Sequence, residues 1–327
     1  MFHIPRRSLV LGALGLIAAA SAHAQPAWPS ARPVTLIVPF TAGGGTDGIA
    51  RLFAQKLGQQ IGQSVVVDNV GGGGGTIGTQ KAAQAAPDGY TILMAVDSPA
   101  AIAQYVNPQA VKYDTQRDFV PVGMLSTLPL VIMARPGLPA SSFQDVIALA
   151  KASPGKLTYA TSGIGTVLHL AMERFQLQGG FSLVHVPYRG GAQAITDLIG
   201  NQVDLAILPT GSAVPLVSSK KVKGLAVTDA HRLPALPEVP SITELPGFKD
   251  LAMTAWIGIF APAGTPAPVI QRLNAEMNRV LQMPDVRAKF DEQAILPGGG
   301  SAADFGAFVK SEQSRYERIV RTANIHE

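Results

Sequence analysis

Short strand-like runs alternate with helical periods along most of this chain, and glycine-bearing turns recur between them. The first unit sets the pattern. An apolar run at 34–39 gives way to Gly43-Gly44-Gly45, after which Ile49, Leu52, Phe53, Leu57 and Ile61 follow at helical spacing. Strand-like runs recur at 64–67, 90–96, 156–160, 183–186 and 203–208, with helical stretches at 76–86, 167–177 and 192–199. Such an order predicts an α/β fold of mainly parallel sheets with helices on both faces.

Two stretches break the alternation. Residues 120–133 and 252–261 are extended apolar runs with no helical period and with proline near an end. A chain that leaves one α/β lobe, builds a second and returns to finish the first needs two such crossings. The expectation is therefore lobe one at residues 30–127 plus 256–327, lobe two at 128–255, and two hinge crossings between them. After the second crossing, Thr265-Pro266 reads as N-cap and first residue of a helix running to about 282; Pro284 opens another, and Ser301 precedes a final amphipathic helix.

A length of 327 residues suits about two domains. Charged residues make up 15%, well below the roughly 25% of an average globular protein, which argues against disorder, a coiled coil or a nucleic-acid-coating surface. With no cysteine, disulfide scaffolds, zinc ribbons and thiol catalysis drop out together. At the start, Arg6 and Arg7 precede an apolar run at 9–20 and the small-residue pattern Ala22-His23-Ala24, which reads as a secretory signal peptide over residues 1–24. That run is too short for the roughly 20 residues of a membrane span. The paired arginines leave both the general secretory (Sec) and the twin-arginine (Tat) export routes open. Removing residues 1–24 takes away two of the 26 basic residues and none of the 22 acidic ones, leaving a net charge of +2. The densest basic cluster, Lys220, Lys221 and Lys223, fits a surface turn, so no nucleic-acid role is expected.

The segment from Val38 to Asp47, with Phe40, Thr41, Gly43 and Gly44 between, places glycines between a strand end and a helix start. Backbone N–H groups and the positive end of the helix dipole then face whatever lies above the strand. Phe40 would supply an apolar wall, and Asp47 either caps the helix or holds a bridging water; the loop is equally well an ordinary turn and N-cap. A second such loop, Ser162-Gly163-Ile164-Gly165-Thr166 with Thr161 before it, precedes the helix carrying His169. One loop per lobe would form the two jaws of a cleft, and its natural guest is a small carboxylate held without an arginine clamp. His169 reads first as a packed histidine and second as a ligand contact. Arg189 reads first as solvated and second as a group that neutralises a bound acid, Asp204 first as structural and second as approaching the cleft, and Tyr188 and Trp256 as packing residues before stacking platforms.

Gly73-Gly74-Gly75-Thr76-Ile77-Gly78 fits the dinucleotide fingerprint, with Asp97 in the position of the ribose-binding acid. Five consecutive glycines satisfy that expression almost automatically, and residues 68–70 separate the preceding strand from the turn. No other catalytic motif stands out, and the four histidines after the leader, His169, His185, His231 and His326, are scattered. No catalytic residue, metal or cofactor is expected.

Taken together the segments resemble the Bug family, the tripartite tricarboxylate transporter substrate-binding proteins also called TctC-like receptors. The resemblance rests on Pro39-Phe40 with Gly43, Gly44 and Asp47; Val67-Asp68-Asn69 running into the glycine run; Ala86-Pro87-Asp88-Gly89-Tyr90-Thr91; and Thr161-Ser162-Gly163 with Gly165, Thr166 and His169. It continues in Val186-Pro187-Tyr188-Arg189-Gly190, Leu236-Pro237-Glu238-Val239-Pro240 and Ala261-Pro262 with Gly264-Thr265-Pro266. It implies a two-lobed periplasmic binding protein, a type II-like Venus flytrap, monomeric, that closes on a small carboxylate and delivers it to membrane permease subunits. It further implies that the ligand carboxylate is held by the loop from Phe40 to Asp47, and that the rest is chosen by Asp97, Ser98, Thr127 and the loop from Ser162 to Thr166 with His169. A small hydroxyl residue is common in this family where Asp97 stands, and an acid there disfavours a second carboxylate nearby unless it is solvated or protonated, which leaves a monocarboxylate, an aromatic acid or a ligand with a donor group open. Two other readings stay open: an extracytoplasmic sensor of the same solutes, and an exported dinucleotide-binding enzyme.

Overall fold

The computed structural model describes residues 28–43 and 45–326, so the expected leader at 1–24 and Gly44 lie outside the described residues. The chain opens with β1 (Val34–Val38), an aliphatic strand buried almost throughout. Helix α1 (Gly45–Ile61) follows and turns Ile49, Ala50, Phe53, Ala54, Leu57 and Ile61 inward, the stripe its spacing predicts. Next come β2 (Val65–Asn69), α2 (Thr76–Ala83) and β3 (Thr91–Val96), and both strands pair in parallel with β1. A long strand, β4 (Phe119–Leu128), leaves this sheet, and after Pro129 alone the chain enters β5 (Leu130–Ala134) of a second sheet.

The second sheet is built from α3 (Phe143–Ala152), β6 (Thr158–Thr161), α4 (Val167–Gly179), β7 (Val184–Pro187), α5 (Gly191–Ile199), β8 (Leu205–Pro209), α6 (Thr210–Ser218) and β9 (Lys223–Val227). Then β10 (Ala255–Pro262) returns to the first sheet, followed by α7 (Ala267–Val280), α8 (Pro284–Glu292), β11 (Leu296–Gly299) and α9 (Ala302–Thr322). The sheets run β11-β4-β10-β3-β1-β2 and β7-β6-β8-β5-β9. Helix α7 starts one residue later than expected; the Thr265 hydroxyl turns back to the Pro262 carbonyl at 2.8 Å instead of capping.

The α/β, two-lobed architecture matches the expectation, but the sheets are mixed rather than mainly parallel. Among the described residues four strand pairs are parallel, the β-turn-α units around β1 and β6, and five are antiparallel. The cause lies in the crossings. β4 leaves the first sheet while β10 comes back into it beside β4, and an outgoing and a returning neighbour run in opposite directions.

One face of the first sheet (Val34, Leu36, Val38) packs on Ile49, Phe53 and Leu57 of α1 and on Leu273 and Met277 of α7. The other face, through Ile37, Leu93 and Ala95, joins a core that continues through Trp256, Phe305 and Tyr316 into the second sheet. Gly258 of β10 matters in that core. A Cβ there would coincide with the Phe305 ring of α9, so the helix sits on the returning strand only because that position has no side chain.

Candidate ligand-binding site

Both glycine loops follow the C-terminal ends of parallel strands, β1 and β6, where sheets of this kind gather their ligands. Each contributes to one cavity of about 770 Å³ between the lobes. The first lobe supplies Phe40, Thr46, Gly73, Gly74, Thr76, Asp97 and Ser98; the second supplies residues 162–166, Val167, Tyr188 and Arg189. Leu128, Ala255, Trp256 and Ile257 of the crossing segments complete the wall.

Three helices begin at this wall, with Thr46 of α1, Thr76 of α2, and Val167 and Leu168 of α4, and so does the π-helical turn Ser98–Ile102. The opening N–H groups of a helix lack intrahelical partners and carry its positive dipole end, so their convergence on one cavity favours an anion. Among the described residues, the side chains of Thr46, Ser98, Ser162 and Arg189 stand in the wall with no intramolecular hydrogen bond or ion pair.

Of the first loop, the structure brings Phe40 to the cavity and adds Thr46, which sequence reasoning passed over. Thr41 and Gly43 are exposed and outside the wall. Asp47 is buried beside it, not in it. Its Oδ2 accepts the Arg51 Nε–H and the Gly43 N–H, each at 2.9 Å, and its Oδ1 accepts the Asn69 amide at 3.0 Å. These donors, Arg51 foremost, hold the carboxyl at a pKa of about 2. Asn69 also donates to the Phe40 carbonyl at 3.2 Å, so Asp47 fastens the loop to α1 and β2.

The second loop lines the cavity with Ser162, Gly163, Gly165 and Thr166. Thr161 lies buried beneath it, and the hydroxyls of Thr161 and Thr166 both donate to the Gly163 carbonyl, at 3.0 and 2.9 Å. His169 is absent from the wall and takes the Gly165 N–H on Nδ1 at 3.2 Å. Its ring stacks on His185, centroids 3.9 Å apart, and His185 Nε2 lies 2.7 Å from Thr161 Oγ1. Burial pushes His169 down to about 3 and His185 to about 4, so the stack is neutral at pH 7 and braces the loop from below. Gly165 itself holds φ +66°, and a Cβ on it would lie 2.9 Å from Val106 of the first lobe, so the jaws meet at this point.

Asp97 does reach the cavity. It follows directly on β3, is 4% exposed, and its Oδ2 accepts the Trp256 N–H of the returning strand at 3.1 Å. Burial lifts its carboxyl to about 7, against the pull of the Trp256 and Ser98 N–H groups. Ser98 follows it in the wall, whereas Thr127 lies on β4 opposite Trp256, outside the wall, and its neighbour Leu128 takes that place.

Gly73, Gly74 and Thr76 were missed because the glycine run was weighed only as a dinucleotide fingerprint. Gly72, Gly73, Gly74 and Gly75 hold φ of 123°, 56°, 62° and 98°, so the run answers to a left-handed turn that enters α2. Its signal was the same glycine-then-hydroxyl start to a helix as in 162–166. Tyr188 and Arg189 also line the cavity although read first as packing and solvated; the Tyr188 hydroxyl donates to Asp197 at 2.6 Å, while Arg189 is exposed within the cleft. Trp256 packs edge-on against Phe305 and Phe308 and meets the cavity as well. Asp204 is structural, binding Arg135 Nε and the Thr158 N–H at 2.9 Å each.

Comparison with known proteins agrees with this architecture. The family model for the tripartite tricarboxylate transporter family receptor matches residues 49–325. A protein of Pseudomonas sp. strain P51, described as a UPF0065 protein in the tcbD-tcbE intergenic region, is 40% identical over 324 residues, covering 97% of this chain and 94% of its own. Among solved structures, R. palustris Rpa4515 with adipate superposes with a TM-score of 0.82 at 36% identity, covering 91% of this chain and 99% of that one. MatC (Rpa3494) from Rhodopseudomonas palustris with bound malate gives 0.78 at 31% identity, covering 89% and 99%. The chain is thus a receptor rather than an enzyme, and it belongs to the tripartite tricarboxylate transporter receptor family, the Bug or TctC-like proteins.

Proposed function

We propose that the protein is an exported, periplasmic and monomeric receptor that binds a small carboxylated organic acid, closes on it and delivers it to the permease subunits of a tripartite transporter. The observation that carries this reading is the convergence of three helix starts, free hydroxyls and the Arg189 guanidinium on one cavity between the lobes. The adipate and malate of the two solved relatives support the same ligand class. The carboxylate is held by Thr46, the opening N–H groups of α1 and Ser98 on one jaw, and by Ser162, the opening N–H groups of α4 and Arg189 on the other.

Lobes of residues 30–127 plus 256–327 and 128–255 rotate about the adjacent crossings, at Pro129 and just before Ala255. Such a motion shifts toward the closed form only as far as the ligand binds that form better. A thermal-shift screen of mono-, di- and tricarboxylates, adipate and malate included, tests the ligand class. Saturable stabilisation by at least one acid, with one site by calorimetry, is the expected result. Stabilisation by none, or by uncharged analogues equally, would overturn it. Compaction in small-angle X-ray scattering with the binding acid is expected from closure.

A further inference from the structure

The ligand site holds a carboxyl where a receptor for diacids has least use for one. Asp97 lies in the cavity wall just after β3, almost fully buried, with Oδ2 committed to the Trp256 N–H and no cationic side chain bonded to it. The charged and titratable groups packed around it are few. Glu312 and Tyr316 face it from α9, and Glu312 is already paired with Arg315. The cation in the cavity lining is Arg189, on the opposite lobe. The wall also carries the apolar side chains of Phe40, Val106, Leu128, Ile164 and Trp256.

The cavity therefore combines anion-receiving groups, the helix starts and Arg189, with one carboxyl that has no cationic partner. We infer that the receptor selects a monocarboxylate with an apolar body and a hydrogen-bond donor, an amide N–H or a hydroxyl, at its far end, and that Asp97 reads that donor and turns away a second carboxylate. The inference rests on the carboxylate-receptor reading and narrows it. Two like charges in a water-poor site repel strongly, so a diacid binds only when a proton bridges it to Asp97. A donor group meets an acceptor that is already desolvated and held in place. The carboxyl, lifted to about 7, sets the pH range in which this choice changes.

The test is calorimetric titration with two matched pairs, adipate and its monoamide and terephthalate and its monoamide, each at about pH 8 and about pH 6. The wild-type protein should bind at least one monoamide tighter than its diacid by about tenfold or more at the higher pH. The diacid should gain affinity on acidification. Asp97→Asn, which keeps the shape and the Trp256 contact, and Asp97→Ser should both bind the diacid more tightly and lose that pH dependence. The inference is overturned if wild-type protein binds diacid and monoamide alike, if both variants keep the wild-type preference, or if neither pair binds while another carboxylate does. If no carboxylate of any kind binds, it is the receptor reading itself that falls.

Discussion

Substituting Gly165 by alanine should weaken ligand binding without touching a ligand-directed side chain. The added Cβ would stand 2.9, 3.0 and 3.2 Å from Val106 Cγ1, Cγ2 and Cβ, all tighter than ordinary contact. The left-handed backbone at φ +66° costs alanine about 1 kcal/mol, but that strain is present whether the cleft is open or shut and so cancels from the closing equilibrium. The crowding against Val106 does not cancel, because the two residues belong to opposite jaws. Overpacking of this kind costs about 1–3 kcal/mol; part of it is relieved by small shifts, leaving about 1–2 kcal/mol, or about 5–30-fold in Kd. Calorimetric titration with the best acid from the screen measures the loss. Val106→Ala in the same chain should restore most of it, because the two closest approaches, to Cγ1 and Cγ2, are then gone and only the 3.2 Å approach to Cβ is left. A Kd for Gly165→Ala within twofold of wild type, or no recovery in the double variant, would show that the jaws do not need this contact to shut.

Gly258→Ala should destabilise the fold by about 1–3 kcal/mol in thermal or denaturant unfolding, because the new methyl group falls on the Phe305 ring, and Phe305→Leu in the same chain should recover part of the loss. Arg189→Gln should weaken carboxylate binding by about tenfold and flatten its salt dependence, whereas unchanged affinity would place the anion elsewhere. His169 and His185 stay neutral in the folded protein, so stability should fall as pH drops below the ordinary histidine value of 6.5 and keep falling toward about 4 and then 3; melting curves of His169→Gln and His185→Gln should slope less over that window. Asp97 acts with the opposite sign. Its folded value near 7 exceeds the ordinary 3.8, so its contribution to stability is lost as pH rises from about 4 to 7, and the melting temperature of Asp97→Asn should gain on wild type across that range.

Much of this arrangement was legible in the residues. The glycine-hydroxyl loops after β1 and β6 announced two jaws, and the apolar runs around Pro129 and before Pro262 announced two crossings, because backbone chemistry is local and leaves local marks. The fate of individual donors was not legible. The family resemblance makes Asp47, Thr161 and His169 ligand groups, yet each is occupied by a partner that tertiary structure supplies: Arg51 and Asn69, Gly163 and His185, and Gly165, the last in keeping with the packed histidine read first. Arg189 satisfies both of its readings, exposed to solvent and in the cleft wall, because nothing nearby in sequence tells which way its turn faces. The direction of β10 was hidden as well, since parallel or antiparallel pairing depends on how the chain comes home and not on the strand's own composition.

That homecoming strand sets an order of assembly. β10 lies between β3 and β4 in the first sheet, yet it is synthesised only after every strand of the second sheet. The second sheet is contiguous in the chain, whereas the first must wait with a gap at its centre until residues 255–262 arrive and α9 covers them. Long-range closure of this sort is slow. A chain not yet synthesised past residue 262 is therefore still unfinished in the half that carries its amino terminus, with its binding cleft not yet made.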